Sequence, residues 1–88
     1  MNLDEAKTLG LRKDRELYPA GRIPAEVEKR GNLSVIVSPE SYSVVIIFPL
    51  RNRAEPYELF RANVNRRTGE VAVVIAAAMS PIIENRLI

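Results

Sequence analysis

The chain has 88 residues, of which 47% are hydrophobic and 27% are charged. This length holds one domain with a modest core, and the apolar fraction excludes an intrinsically disordered chain. A net charge of +2 is too small to act as a strong electrostatic attraction. The sequence has no cysteine and no histidine, so we expect no disulfide, no thiolate or imidazole metal site, and no cofactor.

The N-terminal region does not resemble a targeting signal. Residues 1–17 are charged throughout and lack the apolar stretch of a signal peptide. The longest apolar run, residues 71–79, is about half the roughly 18 residues that a membrane helix needs. We therefore expect a cytoplasmic protein, with export by a route that uses no N-terminal signal as the alternative.

The first element in chain order is a helix over residues 3–17. Asn2 is a good N-cap, and Glu5 follows it at the capping-box spacing. The side chains that recur at helical spacing are Leu3, Ala6, Leu9 and then Lys13 or Leu17. Pro19 ends the helix, because the residue before a proline avoids the helical region.

Residues 24–30 are predicted as a loop or a short helix, with Pro24 in its first turn and Gly31 as its C-cap. Beyond Gly31 the apolar period changes to two. Segments rich in β-branched and aromatic residues predict strands at 33–38, 42–48, 57–64 and 70–78. Ser80 and Pro81 can open a last helical turn, and otherwise residues 80–88 form an extended tail.

The connections between the strands set the predicted topology. Residues 39–41 and 65–69 form turns, and Gly69 can take the positive φ that closes the second one. Sequential strands joined by short connections usually pair with their neighbours. The sequence therefore predicts a single α+β domain over residues 1–88, with the N-terminal helix packed on a four-stranded antiparallel β-meander.

No catalytic motif is present, and we predict that the chain is not an enzyme. The serines lie in no nucleophile motif, and the glycines form no phosphate-binding loop. Carboxylates alone can perform acid–base chemistry, and Glu58 and Glu70, on adjacent predicted strands, could approach each other. We favour the simpler interpretation that each pairs with Arg61, Arg66 or Arg67 on the sheet surface.

Two strand segments predict a binding surface. Residues 44–48 and 71–75 are apolar on both faces, whereas a sheet with one solvated face should alternate apolar and polar residues. One helix covers only one face, so the second face or an edge is expected to meet a protein, with a homodimer as the leading form. The alternative cover is the C-terminal segment with Ile82 and Ile83, folded back onto the sheet.

The predicted interface occupies one face of the middle strands. The expected partner-binding residues are Tyr42, Val44, Ile46, Tyr57, Leu59 and Arg61, with Arg66 and Arg67 at the rim. The pattern does not decide which face the helix covers, so the opposite set remains open: Val45, Ile47, Phe60 and Val64.

The arginines suggest a second function, that of a small basic protein associated with nucleic acid. They follow the second and third strands: Arg51 and Arg53 in one loop, Arg66 and Arg67 in the other. Neighbouring turns of a meander lie at opposite ends of the sheet, so the charge is split. Few aromatic residues are available to stack on bases, which makes nucleic-acid binding the less favoured alternative.

The last predicted hairpin resembles those of two small families. Residues 64–71, Val-Asn-Arg-Arg-Thr-Gly-Glu-Val, are similar to the final strand pair of PepSY domains and of the immunity protein 35 family of bacterial toxin systems. The opening residues Leu3 to Ala6 also look like the helix start common there. The resemblance implies a helix followed by an antiparallel sheet, and an inhibitor that docks on a cognate toxin or enzyme and blocks it.

Overall fold

The computed structural model describes residues 1–21, 23–51 and 53–85. Its elements are α1 (Leu3–Leu17), α2 (Ala25–Glu28), β1 (Asn32–Val37), β2 (Ser41–Phe48), β3 (Tyr57–Asn65), β4 (Val71–Ala76) and α3 (Ser80–Asn85). The strands form one antiparallel sheet in the order β1-β2-β3-β4, and α1 packs on it. The predicted α+β fold is confirmed, and the strand boundaries differ from prediction by one or two residues. None of the described helices is both long and apolar enough to span a bilayer.

Helix α1 begins at a capping box. The Asn2 side chain accepts a hydrogen bond from the Glu5 backbone N–H at 2.8 Å, and the Glu5 carboxylate accepts one from the Asn2 N–H at 3.1 Å. At the other end, Tyr18 leaves the helical region with φ −126° and ψ 82°, directly before Pro19. The predicted limits of this helix are confirmed.

Helix α1 contacts the sheet through small residues. The residues predicted from helical spacing included leucines at both ends of the helix, which do not make this contact. Leu3 and Leu17 are exposed, whereas Ala6 and Gly10 are the buried residues of the helix. A Cβ placed on Gly10 would lie 2.5 Å from Val44 Cγ2. Glycine is therefore required here, because any larger residue would force the helix away from β2.

The side of the sheet against α1, called here the helix-covered face, forms most of the core. Its residues are Tyr42, Val44 and Ile46 on β2, paired with Val64, Ala62 and Phe60 on β3. Ala6 of α1 packs in one buried cluster with residues from both strands. Because side chains alternate along a strand, this contact fixes which residues point away from the helix.

A bulge interrupts β3 and changes the position of Leu59. The register of β2 and β3 shifts between Ile46 and Ile47, which leaves Leu59 as an extra residue opposite β2. Leu59 is buried in the same cluster as Phe48 and Phe60. Strict alternation placed Leu59 on the face of Arg61, and this prediction was wrong because the bulge turns Leu59 toward the core.

The short helices α2 and α3 close one end of this core. Val27 of α2 and Ile82 of α3 are both buried against Phe48, Leu50 and Phe60. The helical alternatives for residues 24–30 and 80–88 are thus observed over Ala25–Glu28 and Ser80–Asn85, while residues 86–88 lie outside the described part. Ile82 completes the helix-covered side and does not cover the opposite face.

Gly69 and Gly31 were each given a backbone role from the sequence, and the two predictions differ in outcome. Gly69 has φ +78°, and its N–H donates to the Asn65 carbonyl at 2.9 Å, so its predicted role in the β3–β4 turn is confirmed. Gly31 does not adopt a positive φ, and α2 ends at Glu28. A Cβ on Gly31 would lie 2.9 Å from the Phe48 ring, so close packing explains this glycine and capping does not.

Candidate interaction surface

The face of the sheet opposite α1, called here the open face, has a mixed composition. Its residues are Ser34, Ile36, Ser43, Val45, Ile47, Glu58, Arg61, Asn63, Ala72 and Ile75. The described helices α1, α2 and α3 all pack on the other side. Within the described ranges, no helix therefore covers this face.

Polar groups on the open face satisfy one another. The Ser43 hydroxyl donates to Asn63 Oδ1 at 2.7 Å, and the Arg61 guanidinium forms an ion pair with Glu58. Between these polar pairs, Val45 is buried by its neighbours and Ile47 is half-buried. Satisfied polar groups among aliphatic side chains are typical of interfaces that also meet water.

Strand β1 is exposed on both of its faces. Leu33 and Val37 lie on the helix-covered side yet are 37% and 55% exposed, and Ile36, on the open face, is 49% exposed. A helix is about 10 Å wide and strands are about 4.8 Å apart, so α1 covers the neighbouring strands and does not reach this edge. The exposed strand is the main feature that the sequence reasoning missed, although its uncharged Asn-Leu-Ser-Val-Ile-Val composition was a visible signal.

The structure separates the residues predicted to bind a partner. Tyr42, Val44 and Leu59 are buried in the core beneath α1, so their side chains are closed to a partner. Ile46 and Tyr57 are half-buried against the same core. These five lie together on the helix-covered side because α1 packs on the face that contains Tyr42.

The alternative set divides in the same way. Val45 and Ile47 lie on the open face beside Arg61, whereas Phe60 and Val64 are fully buried on the helix-covered side. A molecule that docks on the open face would therefore contact Ile47 and Arg61 and would not contact Phe60.

Two arginines pack on tyrosine rings at the ends of the sheet. The Arg66 guanidinium lies 4.9 Å from the centre of the Tyr42 ring and donates to the Ser38 carbonyl at 2.8 Å. At the other end, the Arg53 guanidinium lies 5.4 Å from the Tyr57 ring centre. Both contacts are stabilising cation–π interactions, so these side chains have a structural role.

Arg53, Arg61 and Arg66 do not form one continuous basic surface. Arg53 precedes β3 and Arg66 follows it, so the length of this nine-residue strand, about 30 Å, separates them. Arg61, between them, is paired with Glu58. A divided charge of this kind gives less support to nucleic-acid binding than a single patch would.

The two carboxylates considered for acid–base chemistry are far apart. Glu58 lies at the start of β3, and Glu70 lies beside its end, where the Glu70 carbonyl accepts a hydrogen bond from the Asn65 N–H. At about 3.3 Å per residue the separation is on the order of 20 Å. The less favoured alternative, that these two side chains approach each other, does not hold, because they sit at opposite ends of the strand. Glu58 pairs with Arg61, as the favoured interpretation predicted for that residue.

One cavity of about 130 Å³ lies where the end of α1 meets α2, β1 and β2. Ile46, Phe48 and Leu59 contribute apolar lining, while Asp14 and Glu28 contribute carboxylates. Burial raises the pKa of Asp14, which Arg15 partly offsets by lowering it. The cavity thus combines apolar groups with charges of both signs, since Arg15 also lines it. Within the described ranges no cluster of three metal-ligating side chains is found there or elsewhere.

Tyr18 stands beside this cavity and joins α1 to the sheet. Its hydroxyl donates to the Ala77 carbonyl at 2.6 Å and lies 3.3 Å from the Leu59 carbonyl. Burial raises the pKa of Tyr18 above its ordinary value, with the Asp14 carboxylate adding to the shift. A hydroxyl held in this way is a structural donor, and it ties the end of α1 to the backbone just beyond β4.

Comparison with protein-family models, with curated proteins and with solved structures finds no match to this chain. The similarity of residues 64–71 to the hairpin of PepSY domains and of the immunity protein 35 family therefore remains a hypothesis. It depends on that hairpin and on the order of the elements.

Proposed function

We propose that this chain is a non-catalytic protein-binding module that acts through the uncovered surface of its sheet. The observation that carries the proposal is the exposed aliphatic surface of β1 together with the open face. Apolar area left in water costs about 25 cal/mol per Å², so burying these side chains against a partner would be favourable. Exposed apolar surface with a polar surround is a common mark of an interface.

The shape of this surface favours a macromolecule over a small ligand. Small-molecule sites are concave and enclose most of their ligand. The open face is one side of a sheet, and four of its polar side chains are already joined in the Ser43–Asn63 and Glu58–Arg61 pairs. A protein with a complementary flat surface could bury the aliphatic side chains without breaking either pair.

The narrower form of the proposal is an inhibitor or immunity protein that works in the cytoplasm by covering a cognate toxin or enzyme. The similarity of residues 64–71 to the immunity family supports it. Inhibition by occupation needs no catalytic group, which agrees with the absence of histidine and cysteine from the sequence. The net charge of +2 would suit an acidic surface on the partner.

Affinity capture with open-face variants tests the proposal. The immobilised chain should retain a partner from its native host, and Ile47→Arg should weaken binding of the purified partner by at least about tenfold in calorimetry. Arg12→Ala is the matched control, because Arg12 is exposed on α1, away from the open face. Circular dichroism of each variant confirms that the fold is retained.

Two results would contradict this function. One is partner binding that Ile47→Arg leaves unchanged while Arg12→Ala weakens it. The other is retention on an oligonucleotide that falls steeply with salt and is lost in an Arg67→Ala variant, which would favour the nucleic-acid alternative.

A further inference from the structure

Strand β1 has unpaired backbone groups along one side. It pairs with β2 and forms the edge of the sheet. The hydrogen bond from the Ser38 N–H to the Ser41 carbonyl, 2.9 Å long, fixes the alternation in this hairpin. From that bond inward, Ile36 and Ser34 exchange hydrogen bonds with β2, so the N–H and C=O groups of Leu33, Val35 and Val37 point outward.

This edge lacks the features that usually prevent strands from pairing with other chains. Natural edge strands carry charged residues, prolines or bulges. Residues Asn32–Val37 include no charge and no proline, and their register with β2 is unbroken. The other edge of the sheet, β4, differs because a register shift interrupts its pairing with β3 between Arg61 and Ala62. The regular edge is therefore β1.

We infer that β1 pairs antiparallel with β1 of a second copy of this chain, about a two-fold axis at Val35, which joins the two sheets into one. The inference deepens the proposed function and rests on it in one respect, that the uncovered sheet surface binds protein. A two-fold arrangement closes on itself, so it gives a dimer and no open-ended fibre.

The position of the axis follows from the outward groups. With Val35 opposite Val35 of the second copy, Leu33 stands opposite Val37, and every outward-pointing residue of β1 meets another one. Each such pair exchanges both backbone hydrogen bonds. Shifting the strands by two residues toward the C-terminus would place Leu33 opposite Pro39, which has no N–H to donate.

The side chains match in the same register. On the helix-covered side, Leu33 meets Val37 and Val35 meets its own copy, so the aliphatic groups that α1 leaves exposed cover one another. On the open face, Ile36 stands opposite Ser34. A charged residue opposite its own copy would oppose a two-fold contact, and the strand contains no charged residue. A second copy therefore fits this edge by backbone, shape and charge.

Amide hydrogen exchange gives a test that needs no mutation. In the pair, the amides of Leu33, Val35 and Val37 become hydrogen-bonded, so their exchange should slow as the protein concentration rises from micromolar to sub-millimolar. The amides of Ser34 and Ile36 are the internal control, because they are bonded to β2 in both states. Sedimentation velocity over the same concentrations should show a monomer–dimer equilibrium.

Substitutions that introduce opposite charges at residues 37 and 33 test the register of the β1–β1 pair. Val37→Lys places a lysine opposite Leu33 twice in each dimer and should weaken association at least about tenfold. Adding Leu33→Glu in the same chain creates a Glu–Lys pair at both positions and should restore most of the association. Residues 33 and 37 are about 13 Å apart within one strand, so this rescue cannot arise inside a single copy.

The outcomes separate the two proposals. A strict monomer at sub-millimolar concentration, an unprotected β1 edge, failure of the double variant to rescue, or growth into larger polymers would each overturn the pairing. Any of these results together with Ile47-dependent capture of another protein would leave the proposed function standing. Dimerisation as described with no captured partner would support the pairing and count against the inhibitor form of the function.

Discussion

Strands β1 and β2 lie side by side and are both rich in aliphatic residues, yet their environments differ. Every residue of β2 is buried or half-buried, because α1 packs on one of its faces and its neighbours shield both edges. All of β1 except the half-buried Val35 is exposed. Composition makes each segment a strand, whereas the distance from the single long helix decides whether that strand is sheltered.

The largest change in the free energy of unfolding is expected for a residue in the buried core, and the smallest for a residue on exposed β1. Phe60→Ala removes a fully buried ring and should lower the free energy of unfolding by about 3–5 kcal/mol. Val37→Ala, on exposed β1, should change it by less than about 0.5 kcal/mol in dilute solution. Urea denaturation measures both. Comparable losses in the two variants would mean that β1 is as sheltered as the core.

The close approach of α1 to β2 predicts a smaller loss of stability when Gly10 is replaced. Gly10→Ala should destabilise the fold, because the new Cβ would meet Val44 and overpacking costs about 1–3 kcal/mol. Alanine favours the helix by about 1 kcal/mol, so the net loss should be on the order of 1 kcal/mol and at most about 2 kcal/mol. Arg12→Ala is the exposed control on the same helix. A gain in stability for Gly10→Ala would show that α1 does not lie this close to the sheet.

The hydroxyl of Tyr18 offers a smaller test of the sheltered side. Tyr18→Phe removes the donor to the Ala77 carbonyl and should cost about 1 kcal/mol. Tyr57→Phe is the matched change, since the Tyr57 hydroxyl donates to the Ala78 carbonyl at an exposed position and should contribute less. Thermal unfolding of both variants ranks them, and a larger loss for Tyr57→Phe would reverse the expected order.

The last prediction concerns Asp14, whose replacement should raise the free energy of unfolding by an amount that depends on pH. The folded chain raises the pKa of Asp14 above 3.8, mainly by burial, so the fold favours the protonated carboxyl and loses stability as pH rises through the raised pKa. Asp14→Asn should therefore stabilise the protein at pH 7, and the gain should disappear once pH falls below 3.8. Chemical denaturation at both pH values checks this.

Asp4→Asn is a suitable comparison for that variant. Asp4 lies in the first turn of α1, where a negative charge is favourable, so its removal should destabilise the fold slightly at pH 7. Equal effects of the two substitutions would show that the position of Asp14 beside the cavity is unimportant.

Local signals in the sequence were enough for the helix, the strands and their order. Asn2, Pro19 and Gly69 each act through neighbouring backbone, so their effects could be predicted from residue type and spacing. The bulge at Leu59 could not be predicted in this way, because it arises from how β2 and β3 fit under the helix. The same holds for Gly10, whose partner Val44 is distant in sequence.

The structure divides the predicted interaction residues between the two faces of the sheet, because their placement depended on a tertiary choice. Tyr42 and Ile47 lie on opposite faces of β2, and both faces are apolar, so periodicity alone could not show which one α1 would cover. The exposure of β1 follows from the width of a helix and the spacing of strands. The strand order and the position of α1 together determine this exposure, and the position of α1 on the sheet is a tertiary property that local patterns do not encode.

The glycine contact between α1 and β2 has a consequence for how the molecule comes apart. A helix seated through its backbone has few acceptable rotations, because turning it by one residue, about 100°, would drive a leucine into the space that Gly10 leaves. Intermediate, loosened arrangements are therefore costly. The helix should either dock fully or detach as a unit, and its amide protons should lose protection together.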